Sequence, residues 1–279
     1  MPVETCSLLG FEFRADRRDF QADGRHWREL FGGSLDSGPG LGASICCPPA
    51  AYVAFRCLMA ASAITILVMR LVYAPDGWSW LLYFNHWIAL LATFYFTLAA
   101  ALSFVAVHTS GGATSGPPMA VVFCNLAYGG LVPGSIVSAL ASGLVFYHWS
   151  DLFDDANKGI TDCATTFGLC GMALLDLIIN RQPYYASFHA LAGCLLCWGY
   201  AIFTITCYFT DITDAVGHRY IYPELAWAVP LRGGGSVTGS KLLAMNIFLV
   251  TPLLNYGYWF LMWARRRVFL STKSDGLAV

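Results

Sequence analysis

Apolar residues in this chain gather into six long runs, at about 50–73, 78–107, 119–149, 161–180, 185–210 and 241–264, with polar stretches between them. A helix crossing ~30 Å of hydrocarbon needs ~20 largely apolar residues. All six runs reach that length. None alternates apolar and polar positions regularly, as a membrane β-strand would. Helices are the remaining solution, because lipid offers no partner to an unpaired backbone amide. The pattern predicts an all-α fold, a polytopic membrane helical bundle with six transmembrane helices. The second and third runs are longer than a span needs, which leaves tilt, projection or bending open. Pro133-Gly134 is the expected bend in the third.

Composition agrees with this reading. Of 279 residues, 57% are apolar and only 12% charged, against about 25% charged in an ordinary soluble domain. Sixteen basic and seventeen acidic side chains leave a formal charge of −1. Such a balance provides no field for nucleic acid, and the high hydrophobicity excludes disorder for most of the chain. No signal peptide is expected, since the first apolar stretch, around Leu8–Phe13, is short and runs into Arg14, Arg17 and Arg18.

Basic residues outside the runs suggest an orientation. Arg14, Arg17, Arg18, Arg25 and Arg28 precede the first run, and Arg265, Arg266, Arg267 and Lys273 follow the last. Six crossings put both ends, and Arg181, on one side. The opposite side has Lys158, Arg219, Arg232 and Lys241 beside Asp151, Asp154, Asp155, Asp211 and Asp214. The basic excess marks both termini as cytosolic. Residues 1–48 then form a largely flexible cytosolic arm, 49–265 the transmembrane domain, and 266–279 a cytosolic tail. Either the plasma membrane or the endoplasmic reticulum fits.

The chain has ten cysteines, with no disulfide framework and no metal-ligand spacing alongside histidine. Neither a metal nor a cofactor is expected. Cys46 and Cys47 lie just ahead of the first run and are candidates for S-palmitoylation. Polar side chains within the runs are costly, so each is a candidate for function. Asn85 and His86 lie near one end of the second run. Below them Ala89, Thr93, Thr97 and Ala100 form a small-residue stripe suited to close packing. In the fourth run Asp162, Thr166, Leu169, Ala173 and Asp176 share a face, and Thr166 and Cys163 match the depth of Asn85 and His86. These groups would face a shared cavity. Asp176 matches the depth of His189 in the fifth run, where Gly193, Cys197, Tyr200 and Thr204 continue the His189 face. An Asp176–His189 contact would be either a structural bond or a shared proton. The stretch from Ile221 to Pro230, with Tyr222, Glu224 and Trp227, suggests a segment on or dipping into the membrane surface. Glu224 is there either an acid over a cavity mouth or a solvated carboxylate.

The segment Gly217-His218-Arg219-Tyr220-Ile221-Tyr222-Pro223-Glu224-Leu225 resembles a signature that follows the fifth span in a family of six-span eukaryotic membrane proteins. That family includes the androgen-induced membrane hydrolases and, closer, the rolling stone protein associated with myoblast fusion in insects. Trp80–Trp87, Leu174-Leu175-Asp176-Leu177 with Pro183, and Gly199-Tyr200 resemble the rolling stone branch, and the likeness covers about residues 50–265. The family's hydrolases cleave fatty acid esters of hydroxy fatty acids with an intramembrane Thr nucleophile and a His. The position resembling the Thr holds Asn85 here, and those resembling the His hold Cys163 or Thr166. The resemblance therefore implies a rolling-stone-like protein acting through membrane or protein contacts, without the family's usual catalytic pair. The alternative is a lipid-ester hydrolase with a rearranged pair, His86 activating Thr166 or Cys163. Membrane lipids are the expected surroundings, and a lipid ester is the ligand of the alternative. The sequence names no protein partner. A transporter is the weakest reading, because the two halves show no inverted repeat.

Overall fold

The computed structural model describes residues 48–73, 77–108, 118–141, 156–180, 186–213, 252–254, 256–258 and 260. Helix α1 spans Pro49–Val72, α2 Phe84–His108, α3 Pro118–Ala141, α4 Ala156–Cys163, α5 Leu169–Ile179 and α6 Ala186–Phe209. A π-helical segment, Ala164–Gly168, joins α4 to α5, and a 3₁₀ turn, Gly77–Leu82, precedes α2. Five stretches are long and apolar enough to cross a membrane: Pro49–Val72, Phe84–Val105, Ala120–Leu140, Gly159–Ile179 and Leu191–Phe209. The described pieces within the sixth run are also helical, and Tyr258 there is buried in the core.

Local chemistry sets the boundaries. Pro49, which has no amide proton to leave orphaned, opens α1 after an extended Pro48. Helix α6 closes where Asp211 takes a positive φ of 55° and the Ile212 amide reaches back to the Cys207 carbonyl at 3.0 Å.

The second run departs from the single helix its pattern predicts. It divides at Tyr83, and three consecutive carbonyls of the 3₁₀ turn bond to side chains. The His86 ring meets the Trp80 carbonyl, Trp87 Nε1 donates to Leu81 at 2.7 Å, and the Tyr200 hydroxyl donates to Leu82 at 2.8 Å. Partners off the main chain let the backbone leave the α-helical ladder in an apolar setting.

Packing follows residue size. Helix α3 continues through Pro133 and lies against both α2 and α6. A Cβ on Gly129 would stand 2.8 Å from His189 Cδ2 and 3.0 Å from His189 Cα; one on Gly134 would stand 2.7 Å from Ile88 Cδ1. Only hydrogen at these positions permits such an approach, the usual device of helices packed within lipid. The predicted fifth-run face is buried at His189, Gly193, Cys197, Tyr200 and Thr204. Of the second-run stripe, Ala89 and Ala100 are buried and Thr93 half-buried, but Thr97 is exposed, and Ala92, Tyr95, Phe96 and Ala99 join the buried face.

Charged and polar groups are buried beside a large apolar core, and many large apolar side chains are exposed. Arg56, His86, Asp176 and His189 are buried, whereas Leu58, Val68, Phe94, Phe104, Ile178 and Trp198 are exposed. An apolar exterior accords with five helices long and apolar enough to cross a membrane.

Candidate functional site

The polar interior is organised by two arginines of α1, both inside its apolar run. Arg56 and Arg70 are 14 positions apart, and so are Asp162 and Asp176 in the fourth span. Along α1, fourteen helical residues return to within about 40° of the same face and rise ~21 Å; between the two aspartates the same interval contains the π segment Ala164–Gly168. Arg56 pairs with Asp176 and Arg70 with Asp162. The pairing order runs oppositely along the two chains, so α1 and the fourth span lie antiparallel and are bridged by two charged rungs.

The Arg56 rung is deep. Its guanidinium Nη2 is 3.3 Å from Asp176 Oδ1, and both side chains are fully buried. The Tyr52 hydroxyl, one helical turn away, accepts from Arg56 Nε at 2.8 Å and Nη2 at 2.6 Å. Tyr95 of α2 acts as a relay. Its hydroxyl accepts from Arg56 Nη1 at 3.0 Å and donates to Asp176 Oδ2 at 2.6 Å, while Asn180 Nδ2 donates to the same oxygen at 3.0 Å. Charge and hydrogen-bonding capacity are thus largely met inside the rung, which a buried ion pair requires if it is not to be a net cost.

This arrangement corrects the expected Asp176–His189 contact. The carboxylate is engaged by Arg56, Tyr95 and Asn180 instead. His189 meets the edge of the Tyr128 ring, centroids 5.8 Å apart, and Tyr128 stacks on Tyr95 at 5.4 Å. A guanidinium within reach takes the carboxylate because only a full opposite charge offsets its desolvation.

The Arg70 rung sits near the opposite end of α1. Arg70 Nη1 contacts Asp162 Oδ1, and Arg70 Nε donates to His86 Nε2 at 2.7 Å. The acceptor role of Nε2 leaves the proton on Nδ1, which donates to the Trp80 carbonyl. The Trp80 indole lies flat on the imidazole, centroids 4.5 Å apart, and Tyr83 meets its edge at 5.6 Å.

Between the rungs lies a smaller polar group. Asn85 Nδ2 donates to Thr166 Oγ1 at 3.2 Å, and Ser138 Oγ of α3 donates to Asn85 Oδ1 at 2.7 Å. The depth match between the second and fourth runs therefore brings Asn85, not His86, to Thr166. Thr166 belongs to the π segment, whose widened turn is closed by the Leu169 amide on the Ala164 carbonyl. Among the described residues no hydrogen bond joins His86 to Thr166 or Cys163; adjacent helical positions point ~100° apart, and His86 turns toward α1. Below this group Leu169 and Ala173 are fully buried and separate it from Asp176. Cys46, Cys47, Tyr222 and Glu224 lie outside the described residues.

The two arginines are what the sequence reading overlooked, and a signal for them existed. An Arg inside an apolar run is costly by itself, and its repetition at the spacing of the two aspartates pointed to a partner helix. Comparison with protein families, with curated proteins and with solved structures finds no match in any of the three.

Proposed function

We propose that the chain is a six-span integral membrane protein with cytosolic termini, similar to the rolling stone branch, that acts through contacts with lipid or with other membrane proteins. Support for the sixth span comes from the apolar run 241–264, whose described pieces are helical. The basic excess at both ends supports the orientation.

One observation favours contact over hydrolysis. A Thr or Cys nucleophile needs a base whose lone pair faces it. The Nε2 lone pair of His86 accepts from Arg70, and its Nδ1 proton is directed at the Trp80 carbonyl. The Thr166 hydroxyl, for its part, accepts from an amide that cannot take its proton.

The deciding experiment incubates purified full-length protein in liposomes with long-chain fatty acid esters of hydroxy fatty acids. Wild type is expected to release no fatty acid above empty liposomes. Turnover in wild type that disappears in both His86→Ala and Thr166→Ala would overturn the reading in favour of the rearranged hydrolase.

A further inference from the structure

Arg70 ties α1 to two other elements at once, to α2 through His86 and to α4 through Asp162. The tie to His86 exists in only one protonation state. Neutral imidazole offers Nε2 as an acceptor, whereas imidazolium carries a proton there and a positive charge. A second cation would then face the guanidinium at the distance of a hydrogen bond. Among the described residues, the groups facing His86 are Arg70 from α1, the Trp80 carbonyl and ring and the Tyr83 ring from the turn before α2, and, through Arg70, Asp162 from α4. Asp162 is the one carboxylate in this set, and Arg70 already occupies it.

We infer that the Arg70–His86 bond is a proton-operated latch, which holds the end of α1 near Val72 against α2 while His86 is neutral and frees it from α2 when His86 gains a proton, with Asp162 keeping its hold on Arg70. The direction follows from the bond itself. The closed form excludes the proton from Nε2, so closure is favoured at higher pH and is lost as His86 takes up its proton. The Arg56 rung stays closed through the same interval. It is fully buried, and its neutral partners are Tyr and Asn, which do not titrate near pH 6. Release therefore opens one end of α1 while the other end acts as the pivot.

Pulsed electron-resonance distances in liposomes test this. Spin labels on non-canonical residues leave the ten native cysteines in place. One pair sits at Val72 and Leu90, across the α1–α2 contact that the latch closes; a second sits at Leu58 and Ile178 beside the deep rung, and all four positions are exposed. Between roughly pH 8 and pH 4, the first distance is expected to lengthen by several ångströms in wild type while the second holds. His86→Gln, which keeps an acceptor that takes no proton, holds the short distance throughout. Arg70→Met gives the long distance at every pH, and it decides the matter alone if the glutamine variant does not fold. The latch is overturned if the Val72–Leu90 distance is constant in wild type, if both distances change together, or if either variant titrates like wild type.

Discussion

The two rungs use the same chemistry, an arginine of α1 and an aspartate of the fourth span, yet they differ in every neighbour. At the deep rung both charges are fully buried and are surrounded by two tyrosine hydroxyls and an asparagine amide. At the rim rung both are partly exposed, and the third participant is a histidine that must remain neutral to take part. Identical ion pairs thus serve different ends. Where the surrounding groups keep one protonation state across physiological pH, the pair acts as a fixed lock. With an imidazole as neighbour, the pair acquires a condition.

The comparison breaks most readily at its deep end. Asp176→Ala strands a buried guanidinium and is expected to cost about 3–5 kcal/mol, measured by reversible unfolding in bicelles. The double variant Arg56→Met with Asp176→Leu is expected to recover most of that loss, because the charge and its desolvation leave together. Equal losses in the single and double variants would show that packing, not charge, holds the deep rung. Next in size is Gly129→Ala, at about 1–3 kcal/mol, since the new methyl meets the His189 backbone as well as its ring. Gly171→Ala, with open space around the new methyl, is the control and is expected to be neutral or stabilising.

Asn85→Ala removes two interhelical bonds in the first turn of α2 and is expected to cost about 0.6–1.7 kcal/mol. Smallest of all is Asp162→Asn, at no more than about 1 kcal/mol, because the amide keeps an oxygen for Arg70 to bond. If Asp162→Asn proved as damaging as Asp176→Ala, the distinction between lock and latch would fail.

Much of this arrangement was legible in the residues. Apolar run length located the five helices long and apolar enough to cross a membrane, though the second begins at Phe84 rather than near 78, and helical spacing identified the buried faces of the fourth and fifth runs. Equal depth in neighbouring helices anticipated that the second and fourth would meet near Asn85 and Thr166, and they do, at 3.2 Å. What escaped shares one cause. Periodicity tells which residues lie on a face, but rotation about the helix axis decides which neighbour that face meets. His86 turned to α1 rather than to Thr166, and Asp176 took Arg56 rather than His189. The division at Tyr83 escaped for a different reason. It depends on carbonyl partners at Trp87 and at Tyr200, the latter more than a hundred positions away, and no local window contains both.

The antiparallel pairing also has a history within each molecule. Arg56 leaves the ribosome 120 residues before Asp176, which at about 5–20 residues per second is roughly 6–24 s of translation. For that interval the first helix carries a charge whose counter-ion has not been made. It must wait at the lipid boundary, or beside the insertion machinery, until the fourth helix arrives. Folding of this bundle is thus scheduled by its own electrostatics, with the earliest segment among the last to settle.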